Sequence, residues 1–558
     1  MAWPRVAGFT AAFFALAACS AAPPPAAAPV VELKILALND LHGHLKPPPG
    51  GFRVNDPRVP GAGIAMPAGG TEHIATAVKA LKAQAPNVVM VAAGDLVGAS
   101  PLLSALFHDE PTIESLGLMG LDLAAVGNHE FDEGAAELLR LQRGGCHPQD
   151  GCKGPAPFTG ARFQYLAAST IDTATGQPLL PAYAVKRYGG VPVGFIGLTL
   201  KATPRIVAPA GVAGLQFKDE AETVNALVPE LKRQGVATIV VLIHEGGEAE
   251  GGHDECPGIS GPIVDIVNKL DPAVGVVVSG HTHQAYNCRI AGKLVTSAHR
   301  YGTLLTEIDL TLDGRSGALL ASRATNHIVR HDRHGKDAAQ TALIARYEAL
   351  AAPLAQRVVG RLTQAYTAAG NEAGESRLGR LVADAQLAAT APKDKGGAQI
   401  AFTNPGGLRA PLLPGPGGTV RYEDVFASQP FSNELVTMTL TGEELKALLE
   451  RQFGEQVPEH PRLLQVSRGF GYTFDPRRPR GDRVLPGSLK LNGRTIAPTD
   501  ALRVTVNSYL AGGGDGHRAF TEGRERLVGA LDVEALARYV NTGPAPVDAP
   551  RITRTASP

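Results

Sequence analysis

Apolar residues in this chain fall into short runs, and several of the runs stop abruptly on polar, chemically capable side chains. Residues 31–38, 88–93, 121–126, 191–198, 238–243 and 274–279 read as buried strands. Between them, 71–85, 111–119 and 219–234 read as helices, the polar and apolar positions recurring at helical spacing. This alternation predicts an α/β sandwich around a strand-rich core. Residues 315–335 carry scattered polar side chains, and 337–354 reads as a connecting helix. A second unit opens at Pro353 and Val358-Val359-Gly360, with strands at 399–402 and 502–506 and a helix or turn at 422–427.

The strand ends carry the chemistry. Residues 31–38 run into Asn39-Asp40-Leu41-His42-Gly43-His44, and 88–93 into Gly94-Asp95. Residues 121–126 run into Gly127-Asn128-His129-Glu130-Phe131-Asp132, 238–243 into His244, and 274–279 into Gly280-His281-Thr282-His283. In open α/β sheets, ligands bind beyond the carboxyl ends of the strands. That edge would collect Asp40, His42, Asp95, Asn128, His129, His244, His281 and His283. One histidine after a strand is ordinarily a capping or core residue; this whole set is not. Oxygen and imidazole donors without thiolate suit Zn, Mn, Co, Fe or Mg, and a shared carboxylate holds two ions about 3.5–4 Å apart. Asp95 is the natural bridge. Such a pair binds phosphoryl oxygens and acidifies a bound water, which points to hydrolysis of a phosphate ester. His129 and Asp132 share a face if their loop turns helically, so Asp132 can orient the imidazole. His44, His73, His108, His147, His253, His299, His327, His331 and His334 read as structural or solvated.

Composition sets the frame. A chain of 558 residues holds two or more domains. Lys+Arg and Asp+Glu balance at 53 each, which excludes a bulk pull toward nucleic acid polymers or anionic membranes. Residues 1–19 read as an export signal, basic at Arg5, then apolar but too short to span a bilayer comfortably. Leu16-Ala17-Ala18-Cys19 resembles the bacterial lipobox, making Cys19 the lipid-bearing residue, and 20–30 an Ala/Pro tether. Four further cysteines in an exported chain predict disulfides. Three pairings are possible; sequence proximity favours Cys146 with Cys152 and Cys256 with Cys288.

The second unit has three notable stretches. Asn404-Pro405-Gly406-Gly407-Leu408-Arg409 pairs glycines that admit a ligand close to backbone with a guanidinium suited to phosphate. Pro430-Phe431-Ser432-Asn433 and Asn507-Ser508-Tyr509, which runs on to Asp515, each offer an aromatic ring beside polar groups. Two rings can sandwich a flat heterocycle. Aromatics are only 5% of the chain, so two beside glycine-rich or polar loops carry weight.

Asn-Asp-x-His-Gly, Gly-Asp, Gly-Asn-His-Glu-Phe-Asp, His244 and Gly-His-Thr-His resemble the calcineurin-like metallophosphoesterases. Their order and spacing look most like the 5′-nucleotidase/UDP-sugar hydrolase/2′,3′-cyclic nucleotide phosphodiesterase family, and the later stretches resemble its C-terminal domain. The resemblance implies a four-layer α/β-sandwich domain at 31–335, a linker helix at 336–356, an α/β substrate-binding domain at 357–546 and a tail at 547–558. It makes Asp40, His42, Asp95 and His283 the ligands of one metal and Asp95, Asn128, His244 and His281 those of the other. His129 with Asp132 becomes the catalytic dyad, and metal-activated water the nucleophile. Phe431 and Tyr509 would stack the base, Asn433 and Asp515 contact base or sugar, and Asn404 and Arg409 hold the phosphate side. His283 stands where some relatives have Gln or Asn, and Tyr509 where Phe is common. Relatives often place binding arginines just before Glu375; this chain has Asn371-Glu372, with Arg377 or Arg380 as substitutes. The implied protein is an exported, lipid-anchored 5′-nucleotidase of the periplasm or cell envelope, with two divalent ions and domains that rotate to close on a nucleotide. Its membrane contact would run only through Cys19, with no nucleic acid polymer and no obligate protein partner. The alternatives are a 2′,3′-cyclic nucleotide phosphodiesterase, a UDP-sugar or nucleoside diphosphate hydrolase, a sulfur-transferring relative, or a non-catalytic surface binding protein.

Overall fold

The computed structural model describes residues 1–3, 29–55, 63–454, 456–457, 461–546 and 549–555. Most of the signal segment, Cys19 and nearly all of the tether lie outside these described residues. Among the described residues no helix is long and apolar enough to cross a membrane.

Two six-stranded sheets build the first domain. One runs in the order Leu319–Ile328, Leu304–Asp313, Val30–Leu38, Val88–Ala93, Leu123–Ala125, Gln164–Leu166. The other runs Ala285–Ile290, Lys293–Ala298, Val274–Ser279, Thr238–His244, Val191–Thr199, Tyr183–Tyr188. The alternation of side chains along a strand dictates how they stack. Leu33, Ile35 and Ala37 face Val240 and Leu242 across a core shared by both sheets. Leu36 and Leu38 turn the other way, toward helices Thr71–Lys82 and Glu110–Met119. Ile239, Val241 and Ile243 turn toward helices Glu220–Arg233 and Pro262–Lys269. The layers are therefore helix, sheet, sheet, helix. Because Val30–Leu38, Val88–Ala93 and Leu123–Ala125 are parallel neighbours, their carboxyl ends share one edge. Thr238–His244 and Val274–Ser279 do the same in the second sheet.

The stretch read as scattered polar residues contains a strand, Leu319–Ile328, at the outer edge of the first sheet. An edge strand with mostly half-exposed positions carries no apolar run. Cys146 is bonded to Cys152 and Cys256 to Cys288.

Helix Ala338–Ala355 passes through Pro353 without ending there. The Asp337 side chain caps it, accepting from the amides of Ala339 and Gln340 at 3.1 Å each. It lies on the first domain through Gln340, bonded to Ser115, and Tyr347, whose hydroxyl donates to Glu114 at 2.9 Å. Its last residue, Ala355, sits in the core of the second domain beside Val359 and Leu381.

That domain centres on a five-stranded sheet ordered Gln465–Val466, Ile400–Thr403, Ala501–Asn507, Glu434–Thr441, Arg524–Leu531. Leu445, Leu448 and Leu449 of helix Gly442–Arg451 pack on Met438 and Val504. The stretch 547–558, read as a tail, instead supplies the strand Ile552–Arg554, paired in parallel with Tyr472, Thr473 and Phe474. Three residues are too few to show an alternating pattern.

At the start of helix Asp532–Asn541, burial pushes the Asp532 carboxyl up to about 7. A raised acid pKa gives stability that is complete below the unfolded value near 4 and lost as pH climbs through about 7. Asp532→Asn is therefore expected to raise the melting temperature relative to the parent at pH 8, by roughly 2–4 kcal/mol of stability, and much less at pH 5. Equal shifts at both pH values would contradict this.

Candidate active site

The five strand-end loops interlock. Asp40, His42, Asp95, His281 and His283 all adopt left-handed backbone, with φ of 49°, 46°, 48°, 71° and 57°. For residues with a Cβ this costs on the order of 1 kcal/mol or more each, and such strain concentrates where function needs it. Bonds between loops hold it in place. The Asp40 amide donates to Gly94 at 3.1 Å and the His42 amide to Asp95 at 3.0 Å. The His281 amide donates to both Asp40 carboxylate oxygens at 3.0 and 3.1 Å. Gly127 is required for close approach, since a methyl group there would overlap the Asp95 carboxylate.

Glu130 ties the same loops from beneath. Its buried carboxylate accepts from the amides of Gly127 at 2.6 Å, Asp95 at 2.9 Å and Leu96 at 2.8 Å. Burial, with Asp95 beside it, pushes this carboxyl up to about 7. Glu130→Gln places an amide donor against a backbone donor, so about 1–3 kcal/mol of stability should be lost. Thermal unfolding of the metal-stripped protein measures it; an unchanged midpoint would contradict the account.

The imidazoles are aimed. His42 Nδ1 donates to the Gly98 carbonyl at 2.9 Å and His244 Nδ1 to that of Ala93 at 2.8 Å. This turns Nε2 of each ring inward, as metal-binding histidines are commonly held. His42 Nε2 lies 3.1 Å from His283 Nε2 and 3.6 Å from Asp95 Oδ2. His283 Nε2 is 3.3 Å from Asp40 Oδ1, and His244 Nε2 is 3.0 Å from Asp95 Oδ2. Asn128 Oδ1 is buried with no hydrogen-bond partner among the described residues. Asp40, His42 and His283 form one group with metal-ligand spacing, and Asp95, His244 and His281 another. Converging carboxylate and imidazole groups and the unpartnered buried Asn128 oxygen fit divalent cations.

The electrostatics agree. Burial opposes a charged His244, yet Asp95 and Asp40 lift its pKa to about 10, so this spot attracts positive charge. Burial and the His244 charge push His281 down to about 4. Burial and Arg409 hold His42 well below its ordinary value.

The turn His129–Phe131 is helical, and it sets Asp132 Oδ2 2.8 Å from His129 Nδ1. Against burial, the Asp132 and Asp95 carboxylates raise the His129 pKa.

The second domain closes over this edge. Arg409 Nη2 reaches to 3.4 Å from His42 Nε2, and its guanidinium lies 5.8 Å from the centre of the Phe431 ring. Phe431 is near-parallel to His129 at 5.8 Å. Tyr509 donates to Asp515 Oδ1 at 2.5 Å, and Asn404 Nδ2 donates to Asp515 Oδ2 at 2.8 Å. Asn433 accepts from the Ser508 hydroxyl at 3.0 Å. Asn404, Arg409, Phe431, Asn433, Tyr509 and Asp515 line one cleft of about 740 Å³ with the His129–Asp132 pair.

Arg380 is not brought to it. It occupies the first turn of helix Arg377–Thr390 on the inward side, buried, with Nη1 3.4 Å from Glu375. Four residues come to the site without a sequence signal. Arg300 Nη1 lies 3.2 Å from His283 Nδ1, and Tyr301 stacks on His44 at 3.9 Å. His108 and Arg462 line the cleft wall. His108, whose sequence setting suggests a structural or solvated ring, is held between Glu133 at 2.7 Å and Asp150 at 3.1 Å.

This architecture has known relatives. Residues 33–285 match the calcineurin-like phosphoesterase family and 358–522 the 5′-nucleotidase C-terminal domain. The cell wall protein Lmo0130 of Listeria monocytogenes is 30% identical over 550 residues, covering 92% of this chain and 68% of that protein. The chain belongs to the 5′-nucleotidase family. Members of this family are metal-dependent phosphoesterases. Endonuclease YhcR of Bacillus subtilis is 32% identical over 521 residues, 93% of this chain, but the chain spans only 40% of that protein's length. The crystal structure of a 5′-nucleotidase precursor from Thermus thermophilus superposes with a TM-score of 0.74 at 27% identity, covering 94% of this chain and all of that one. The two-domain α/β architecture is that of the family.

Proposed function

We propose that the protein is an exported 5′-nucleotidase that hydrolyses nucleotide phosphate esters at a dinuclear metal centre. What carries the reading is the meeting of Arg409 with the strand-end cluster inside the cleft that also holds Phe431 and Tyr509. A phosphate at the cluster and a base between the rings then belong to one ligand.

Two ions drawn from Zn, Mn, Co, Fe or Mg fit the donors. Asp40, His42, Asp95 and His283 would hold one, and Asp95, Asn128, His244 and His281 the other. Bound ions of this kind supply Lewis acidity at the phosphoryl oxygens and a nucleophile at neutral pH. The chain supplies the rest. His129, with Nδ1 committed to Asp132, holds its other proton on Nε2 in the cleft and donates it toward a phosphoryl oxygen. Arg409 offsets phosphate charge from the opposite side, and its planar fork orients the group. Asn404 and Tyr509 fix the Asp515 carboxylate at the sugar edge, and Asn433 is held by Ser508 beside Tyr509.

The two disulfides and the cell wall relative support export, with Cys19 as the lipid anchor. Helix Ala338–Ala355, seated on one domain and ending in the core of the other, is the hinge for opening and closing. A cross-link holding the domains apart is expected to stop turnover; undiminished turnover would contradict the hinge.

Phosphate release from AMP, UMP, ADP, UDP-glucose, 2′,3′-cyclic AMP and an aryl phosphate tests the substrate. Release from the 5′-monophosphates should dominate. Release only from the cyclic or diphosphate compounds would move the function to diester or diphosphate hydrolysis.

A further inference from the structure

We propose that a cavity adjoining the nucleotide cleft, walled by Arg451, Arg462 and His517, is an anion subsite for a phosphate borne on the 2′- or 3′-oxygen of the substrate's ribose. This rests on the nucleotide reading above and extends it to a second phosphate.

The cavity has a volume of about 320 Å³ and shares Gly406, Arg462 and Asp515 with the main cleft. It begins where the cleft ends, at the Asp515 side chain. Its charge is one-sided. Arg451, the last residue of helix Gly442–Arg451, and Arg462 bring two guanidiniums to a small space. Among the described residues neither guanidinium has an ion pair or hydrogen bond. Among the described residues the one carboxylate in the wall, Asp515, is already committed, with Oδ1 taken by Tyr509 and Oδ2 by Asn404. Gln452 is committed too, donating to Tyr472 and accepting from the Leu464 amide, both at 3.0 Å. Among the described residues of the wall, the groups left to meet a ligand are the Arg451 and Arg462 guanidiniums and the His517 ring. Guanidiniums at the wall of one cavity are suited to phosphate oxygens.

The position assigns the ligand. Asp515 is the residue at the sugar edge, so a substituent on a ribose oxygen held there projects past it, away from the metal ligands. The space past it is this cavity. A nucleoside 5′-monophosphate leaves it empty; a nucleoside carrying a 2′- or 3′-phosphate fills it.

Calorimetric binding of adenosine, adenosine 2′-phosphate and adenosine 3′-phosphate to the metal-loaded full chain tests the subsite. At low salt, one of the two phosphates should bind about tenfold tighter than adenosine, an advantage that shrinks as salt rises. Arg451→Ala, which touches only the cavity, should remove most of that advantage, and Arg451→Lys should restore part. Adenosine affinity and AMP turnover should stay unchanged in both variants. The probe that loses its advantage also tells which ribose oxygen carries the phosphate. No advantage in the parent, or one that survives Arg451→Ala, overturns the subsite alone. Failure of adenosine to bind at all overturns both the subsite and the nucleotide reading.

Discussion

Asp95→Ala is expected to lower kcat/KM for a nucleoside 5′-monophosphate by at least about 10³-fold, equivalent to roughly 4 kcal/mol of transition-state stabilisation. The reason is its position between the two ligand groups. Its Oδ2 lies 3.0 Å from His244 Nε2 and 3.6 Å from His42 Nε2. Its other oxygen accepts from the His129 amide at 2.9 Å, so it also positions the dyad loop. Removing the carboxylate takes negative charge from both ligand groups at once. Metal content by elemental analysis should fall along with activity. A variant that retains both ions and near-parental turnover would remove Asp95 from the bridging role.

His129→Ala is expected to act differently. Proton donation by a positioned side chain contributes about 10²–10⁴-fold, so kcat should fall by that order while metal content stays at the parental level. KM should move little, because base stacking and Arg409 remain. Asp132→Asn keeps the imidazole but replaces the carboxylate that orients and charges it at 2.8 Å, and an intermediate loss is expected. Loss of metal from His129→Ala would instead make His129 a ligand, which its proximity to His42 and Asp95 permits geometrically.

The strand-end cluster was legible because each of its side chains follows an apolar run buried on both faces. Parallel pairing then brings such ends to one edge, so Asp40, Asp95, Asn128, His244 and His281 could be placed together from local pattern. Strands such as Leu319–Ile328, Ala285–Ile290 and Tyr183–Tyr188 were not legible, since edge strands keep polar and half-exposed positions. Glu130 was hidden for another reason. Its role is to accept from Asp95 and Leu96, more than thirty residues earlier, and nothing beside it in sequence announces that. Arg300 and Arg462 likewise reach the site through long-range packing. Arg380 shows the converse: the right residue type near the right motif, turned into the core by helical phase.

The account stands on one claim, that metals held by the first domain and an aromatic cleft in the second act on one nucleotide. The direct measurement is phosphate release from AMP by the parent, Asp95→Ala and Phe431→Ala, each stripped of metal and then resupplied. Parental activity should vanish on stripping and return with metal. Asp95→Ala should stay inactive after resupply. Phe431→Ala should recover turnover of an aryl phosphate while its KM for AMP rises about tenfold or more, the stacking of one aromatic ring being worth about 1–3 kcal/mol. Metal-independent release, or AMP kinetics untouched by Phe431→Ala, would contradict it.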